Sequence, residues 1–224
     1  MGVKVETKMI TCALFGDGMV GKTSIVLTFM KEKLPQKYVA TVFDNFATGS
    51  QSITGDRYTV NMFDTTGQQD FEGLRVFTYK ESEVIIVCYC VVDRESFYSV
   101  QDYWLPEIKK HLGSANKKPV ILVATQVDLR NTADFDTDTP VSTSEGERLA
   151  KDIGAQKFIE CSAVTKEGVP ELFQNVILCA VKQRRKKIKH FEENVQKTCR
   201  MTFIQRFVDI TFDRSHNVPY NKTT

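Results

Sequence analysis

Hydrophobic and polar positions alternate along the chain with two different periods. Short apolar runs rich in Val, Ile and Phe (Lys8–Phe15, Val84–Val92, Val120–Thr125, Lys157–Cys161) are bounded by Gly, Asp or Pro and predict buried strands. Between them, apolar residues recur at three- and four-residue spacing in Ile25–Met30, Phe97–Ile108 and Leu172–Val181, which predicts helices with one buried face. Ser142 and Glu145 fit a capping box that opens a further helix, ending near Gly154. One stretch breaks the alternation. Phe46–Ile53 and Arg57–Phe63 flank Thr54, Gly55 and Asp56, a hairpin pattern that implies an antiparallel edge. The fold class expected is α/β: a doubly wound, six-stranded, mostly parallel sheet with one antiparallel edge and helices on both faces. Ligands of such sheets gather at the carboxyl ends of the strands.

From about Lys182 the pattern changes. Lys182, Arg184, Arg185, Lys186, Lys187 and Lys189 form a basic cluster, followed by Phe191, Val195, Cys199, Phe203 and Phe207 at i, i+4 spacing, joined by Ile204 and Val208. This predicts an amphipathic helix. Residues 182–224 hold 11 Lys/Arg against 4 Asp/Glu, whereas residues 1–181 hold 19 against 24, so an acidic body carries a basic tail behind a net charge of only +2. The expected division is a domain at 8–182 and a tail at 183–224. Three readings of the tail stay open. Contact with an anionic membrane through 182–212, at about 1 kcal/mol per basic residue, is one. A segment folded back on the domain is the second. A nuclear-localisation or nucleic-acid role is the third and least favoured.

Composition narrows the class further. At 224 residues, 42% hydrophobic and 26% charged, the chain is neither collagen-like, mucin-like nor wholly disordered. Its longest apolar run, Val84–Val92, has nine residues where a spanning helix needs roughly 20. No signal peptide is expected at the N-terminus, and Glu6 stands where myristoylation of Gly2 wants Ser or Thr. The six cysteines, at 12, 88, 90, 161, 179 and 199, show no C-x-x-C spacing. Neither zinc nor a disulfide is expected, and a reducing, cytoplasmic setting fits.

Four short motifs carry candidate chemistry, each at the carboxyl end of a predicted strand. Gly16, Asp17, Gly18, Met19, Val20, Gly21, Lys22 and Thr23 match G-x-x-x-x-G-K-[ST], with Ser24 next in the helix they open. Glycines let backbone N–H groups wrap phosphates, Lys22 neutralises β/γ charge, and the Thr23 hydroxyl ligates Mg²⁺. Asp64, Gly67 and Gln68 follow the Arg57–Phe63 strand; the carboxylate suits a Mg²⁺ shell, the Gly67 N–H a γ-phosphate, and Gln68 the orientation of an attacking water. Thr125, Gln126 and Asp128 form the third motif, where a carboxylate accepts from both N1–H and the 2-amino group of guanine. Cys161, Ser162 and Ala163 form the fourth, with a backbone donor for the guanine O6. The first motif alone leaves ATP and GTP open, and each of the others alone also reads as a cap or turn. Their joint order is that of a guanine-nucleotide switch.

With these residues in place the chain resembles the Rho family of the Ras superfamily over about 8–182, closest to its cell-division-control branch. Tyr38, Val39, Ala40, Thr41, Val42, Phe43, Asp44 and Asn45 look like the switch I and effector loop; Gln126, Phe63 and a shortened insert after Asp128 agree. The resemblance implies the P-loop GTPase fold and a Mg²⁺-dependent GTP/GDP switch that hydrolyses GTP slowly. Lys22, Thr41 and Gln68 would be catalytic, and Thr23, Thr41 and Asp64 would ligate the metal. Leu34 and Tyr38 would flank the nucleotide, while Val42, Phe43, Asp44 and Asn45 would bind effectors. GTPase-activating proteins are implied as partners.

The departures from that family refine the expectation. Leu34 stands for a Phe packed on guanine, a loss of about 0.5–1.5 kcal/mol in comparable pairs. Ala40 stands for a proline, so fast intrinsic nucleotide exchange is expected. Gln69, Phe71 and Gly73 replace contacts of the usual exchange factors, whose use is therefore expected to be weak. Thr66 replaces an Ala: its hydroxyl either crowds the attacking water or accepts a phosphoryl group, or turns away without effect. The chain ends Tyr220, Asn221, Lys222, Thr223, Thr224 with no C-a-a-X box, so prenylation is not expected and any membrane contact would be peripheral. The implied role is signalling to actin, cell polarity or membrane traffic. The alternative is a persistently GTP-loaded effector scaffold with negligible turnover.

Overall fold

The computed structural model describes residues 7–32, 34, 41, 43–47, 51–53, 56–113, 118–131 and 139–215, without the side chains of 43, 47, 51–53, 69 and 197–215. In chain order the strands are β1 (Thr7–Phe15), β2 (Phe43–Ala47), β3 (Gln51–Ile53), β4 (Asp56–Thr65), β5 (Val84–Cys90), β6 (Val120–Thr125) and β7 (Lys157–Glu160). The helices are α1 (Lys22–Phe29), α2 (Glu72–Glu81), α3 (Arg94–Ser99), α4 (Leu105–Leu112), α5 (Thr143–Asp152) and α6 (Val169–Ser215). Six strands run in the order β2-β4-β1-β5-β6-β7, parallel throughout except β2. The antiparallel edge comes in two pieces, since β3 also pairs with β4. Asp56, expected in the turn, already belongs to β4 and pairs with Ile53.

Period-2 alternation sends each strand's side chains to two separate cores. Ile10, Cys12 and Leu14 of β1, with Ile86, Cys88, Ile121 and Val123, pack under Ile25 and Val26 of α1 and Leu172, Phe173, Val176 and Ile177 of α6. Ala13 and Phe15, with Ile85, Val87, Leu122 and Ala124, pack against Tyr79, Trp104, Leu105, Ile108 and Leu149 from the helices of the other face. All seven residues of β5 are buried, as a central parallel strand covered on both faces requires. The ends of the four predicted buried strands and of Arg57–Phe63 fall within two residues of those observed, whereas the strand predicted from Phe46 begins three residues earlier, at Phe43.

Two helices depart from the sequence pattern. Phe97–Ile108 is not one α-helix: α3 passes through a π-helical segment, Val100–Trp104, before α4 begins. Pro106, in the first turn of α4, has no N–H to return to the carbonyl four residues back, and the chain widens before it. The helix α2 escaped the periodicity altogether. Its buried face is Arg75, Thr78 and Tyr79, while the apolar Leu74 and Phe77 are 50% and 57% exposed.

The chain divides into two compact units, Met1–Val181 and Lys182–Thr224. Within the second, Ile188, Phe191 and Val195 are exposed at 58%, 69% and 44%. No described helix is long and apolar enough to cross a membrane.

Candidate functional site

The loop between β1 and α1 is shaped by glycine. Gly16 has φ +135°, and a Cβ there would lie 2.2 Å from the carbonyl oxygen of Cys88 on the neighbouring strand. Gly21, at φ +88°, is the N-cap of α1 and supplies no side-chain acceptor, so the first-turn N–H groups remain available to an anion. Lys22 folds its buried side chain back into this loop, where Nζ donates to the carbonyls of Gly16 and Asp17, both at 2.7 Å. Burial lowers its pKa, opposed by the charges of Asp64 and Asp17. Val20 is buried; Gly18 has open space where a Cβ would sit, Met19 is exposed and Ser24 half-buried.

Oxygen ligands converge beside that amine. The Thr23 hydroxyl donates to Oδ2 of Asp64 and lies 2.8 Å from the Thr41 hydroxyl. Asp64 is fully buried at the end of β4, and desolvation pushes its pKa up to about 6 despite the Thr23 bond and the Lys22 charge. Its second oxygen, Oδ1, is buried without a hydrogen-bond partner, a costly state for a carboxylate. Two hydroxyls and a carboxylate with a spare lone pair suit a small hard cation such as Mg²⁺, completed by phosphate oxygens. No cluster of three His, Cys, Asp or Glu side chains suited to a metal occurs among the described residues.

The other end of the site is built from the termini of β6 and β7. The Thr125 hydroxyl donates to the carbonyl of Val20 at 2.6 Å and lies 3.0 Å from that of Tyr89, tying the first loop to two strands. Gln126 is left-handed (φ 57°), and its Nε2 donates to the Met19 carbonyl at 3.1 Å. Asp128 sits in the turn that follows, its Oδ1 buried and unpartnered like that of Asp64. Ser162 closes its own turn by accepting from the Thr165 N–H, and the Ala163 carbonyl accepts from Thr28. Leu34 is half-buried and lines a cavity of about 740 Å³ with Phe29, Ala163, Val164 and Val169.

Gly67 touches the first loop directly. A Cβ on it would lie 2.2 Å from the Gly18 nitrogen and 2.5 Å from the Asp17 carbonyl oxygen. Gln68 next to it has an exposed side chain, but its backbone is held at both polar atoms: N–H donates to the Thr66 hydroxyl at 3.2 Å, and the carbonyl accepts from Arg75 at 2.5 Å. So the Thr66 hydroxyl oxygen is engaged within its own turn. Arg75, Glu107 and Trp104 were not foreseen as part of this region, because a buried arginine on a helix breaks the apolar pattern by which buried faces are found.

Of the switch I residues, Tyr38, Val39, Ala40 and Val42 lie outside the described residues, as does the Phe43 side chain; Asp44 and Asn45 are exposed on β2. The assembled geometry is a phosphate-sized glycine loop with a buried amine, an oxygen cluster suited to Mg²⁺, and at the opposite end a half-buried aspartate with one buried oxygen. The family model described as "Ras family" matches residues 11–182, and the chain belongs to that family of small GTPases.

Proposed function

We propose that this Ras-family domain is a Rho-type GTP/GDP switch with slow GTP hydrolysis and fast intrinsic exchange. The observation that supports it most directly is the pair of buried carboxylate oxygens without partners, Asp64 Oδ1 and Asp128 Oδ1, at the two ends of one site. The first suits Mg²⁺ and the second the two donors on the edge of guanine. Mg²⁺ on Thr23, Thr41 and Asp64 would neutralise phosphate charge. Lys22 and the amides of Gly16–Ser24 hold the phosphates, the Gly67 N–H meets the γ-phosphate, and Gln68 orients the attacking water. Thr125, Gln126, Ser162 and Ala163 frame the base. Leu34, an aliphatic wall over a cavity, grips guanine loosely and sets a fast off-rate.

In this reading 8–182 is the G-domain and 183–224 a basic tail. Val42, Phe43, Asp44 and Asn45 face effectors, and activating proteins supply further catalysis. The protein would work in the cytoplasm with peripheral membrane contact through 182–212, signalling to actin, polarity or traffic. The other reading, a persistently GTP-loaded scaffold, draws on the polar Thr66 beside Gln68; steady GTP turnover that drops in Gln68→Leu separates the two.

The test is displacement of fluorescent GDP by GTP, ITP and ATP. ITP lacks the 2-amino group and should compete about tenfold to a hundredfold less well than GTP, the loss of one hydrogen bond to a charged acceptor. ATP should compete far less than either. ATP competing as well as GTP overturns the assignment of Asp128.

A further inference from the structure

We propose that Arg75 is a positioning residue for Gln68, fixing its backbone relative to the phosphate loop through a buried post made with Glu107 and Trp104. This rests on the hydrolase reading above. Arg75 is 1% exposed and meets Glu107 in a two-pronged pair, Nε to Oε1 and Nη2 to Oε2, both at 2.8 Å. Tyr79 donates to the same carboxylate, and Arg75 Nη2 also donates to the Tyr103 hydroxyl at 3.0 Å. The guanidinium lies 5.0 Å over the ring of Trp104, whose indole N–H donates to Oδ1 of Asp17 at 2.7 Å. Its remaining nitrogen, Nη1, points to the turn after β4 and donates to the Gln68 carbonyl at 2.5 Å, with the Thr66 carbonyl at 3.5 Å.

The chain of contacts thus begins on the phosphate loop and ends on the backbone of the water-orienting residue. A buried ion pair is a poor device for stability, because desolvation offsets its attraction. Its planar fork is a good device for geometry. The result here is specific: both backbone polar atoms of Gln68 are held while its side chain remains exposed. That leaves χ angles free to meet a water while the Cα is fixed, and displacement of about 1 Å at such a residue costs on the order of 100-fold in rate.

The experiment compares wild type, Arg75→Lys, Gln68→Leu and the double variant in single-turnover GTP hydrolysis, with GDP and GTP affinity measured in parallel. Lysine keeps the charge and loses the fork. Arg75→Lys should lower the hydrolysis rate on the order of 100-fold, with affinities changed less than about threefold. In the Gln68→Leu background it should change the residual rate by less than about twofold, because a residue acting through Gln68 has nothing left to position. Glu107→Gln, which keeps one acceptor for the guanidinium, should show the same pattern with smaller amplitude and serves if Arg75→Lys does not fold. Wild-type hydrolysis in both variants, or a loss that repeats in full in the Gln68→Leu background, overturns the proposal. A wild type that binds GTP without turning it over overturns the hydrolase reading as well.

Discussion

The indole N–H of Trp104 donates to the carboxylate of Asp17 across 2.7 Å, linking two residues 87 positions apart in the chain. Asp17 occupies one of the unspecified positions of the glycine loop, and its side chain is engaged by Trp104. Trp104 is fully buried and also edges against Tyr103 and tilts toward Phe15. Trp104→Phe removes the bond and leaves a small cavity, so it should destabilise the protein by about 2–4 kcal/mol in urea unfolding. Asp17→Asn keeps an acceptor and should cost about 1 kcal/mol or less. Asp17→Asn costing as much as Trp104→Phe would show that the charged bond, and not the packing of the indole, carries the stability.

At Gly67 the backbone of the turn presses on Asp17 and Gly18, closer than any Cβ tolerates. Gly67→Ala must therefore push the turn off the loop. The expected outcome is GTP hydrolysis reduced at least tenfold with GDP affinity nearly intact, since the base end of the site is untouched. Parallel measurement of GDP release and GTP turnover checks it. Gly16→Ala is a different case: its Cβ meets the carbonyl of a central strand at φ +135°, and folding itself should fail.

Leu34 borders the cavity beside Ala163 and Val164. Leu34→Phe adds an aromatic face there and should slow intrinsic GDP release about threefold to tenfold at physiological Mg²⁺. Release that is unchanged would mean that the neighbouring residues already hold the base.

The N-terminus of α5 carries a pH dependence of known sign. The Ser142 backbone N–H, its hydroxyl and then Arg94 hold the Glu145 carboxyl well below its usual value of 4.5, at about 2. A depressed carboxylate contributes stability at pH above its unfolded value and loses it as pH falls through the folded one. Glu145→Gln should therefore be less stable than wild type at pH 7, by about 1 kcal/mol, with the gap closing between pH 4.5 and 2. Ser142→Ala should cost about as much at pH 7, read from thermal unfolding at each pH.

Local chemistry alone determined the strands, because a centre that must be buried on both faces tolerates little but Val, Ile, Leu and Cys, as Val84–Cys90 shows. It also determined the glycine loop, whose positive φ at Gly16 and Gly21 admits almost no other residue, and the capping box at Ser142, which is satisfied within four residues of chain. Asp64 and Asp128 could be singled out because each follows an apolar strand at its carboxyl end.

What only the tertiary structure decided is where polar groups find partners far along the chain. The burial of Arg75 on a helix with exposed Leu74 and Phe77, and the Trp104–Asp17 bond, depend on neighbours 7 to 87 residues away. A pattern of hydrophobic periods sees burial only through apolar side chains, so a helix that buries a guanidinium against a distant carboxylate is invisible to it. The same physics left, among the described residues, two buried carboxylate oxygens still in need of a partner, on Asp64 and Asp128. That need arises only once the sheet brings the ends of β4 and β6 to the same edge as the loop after β1.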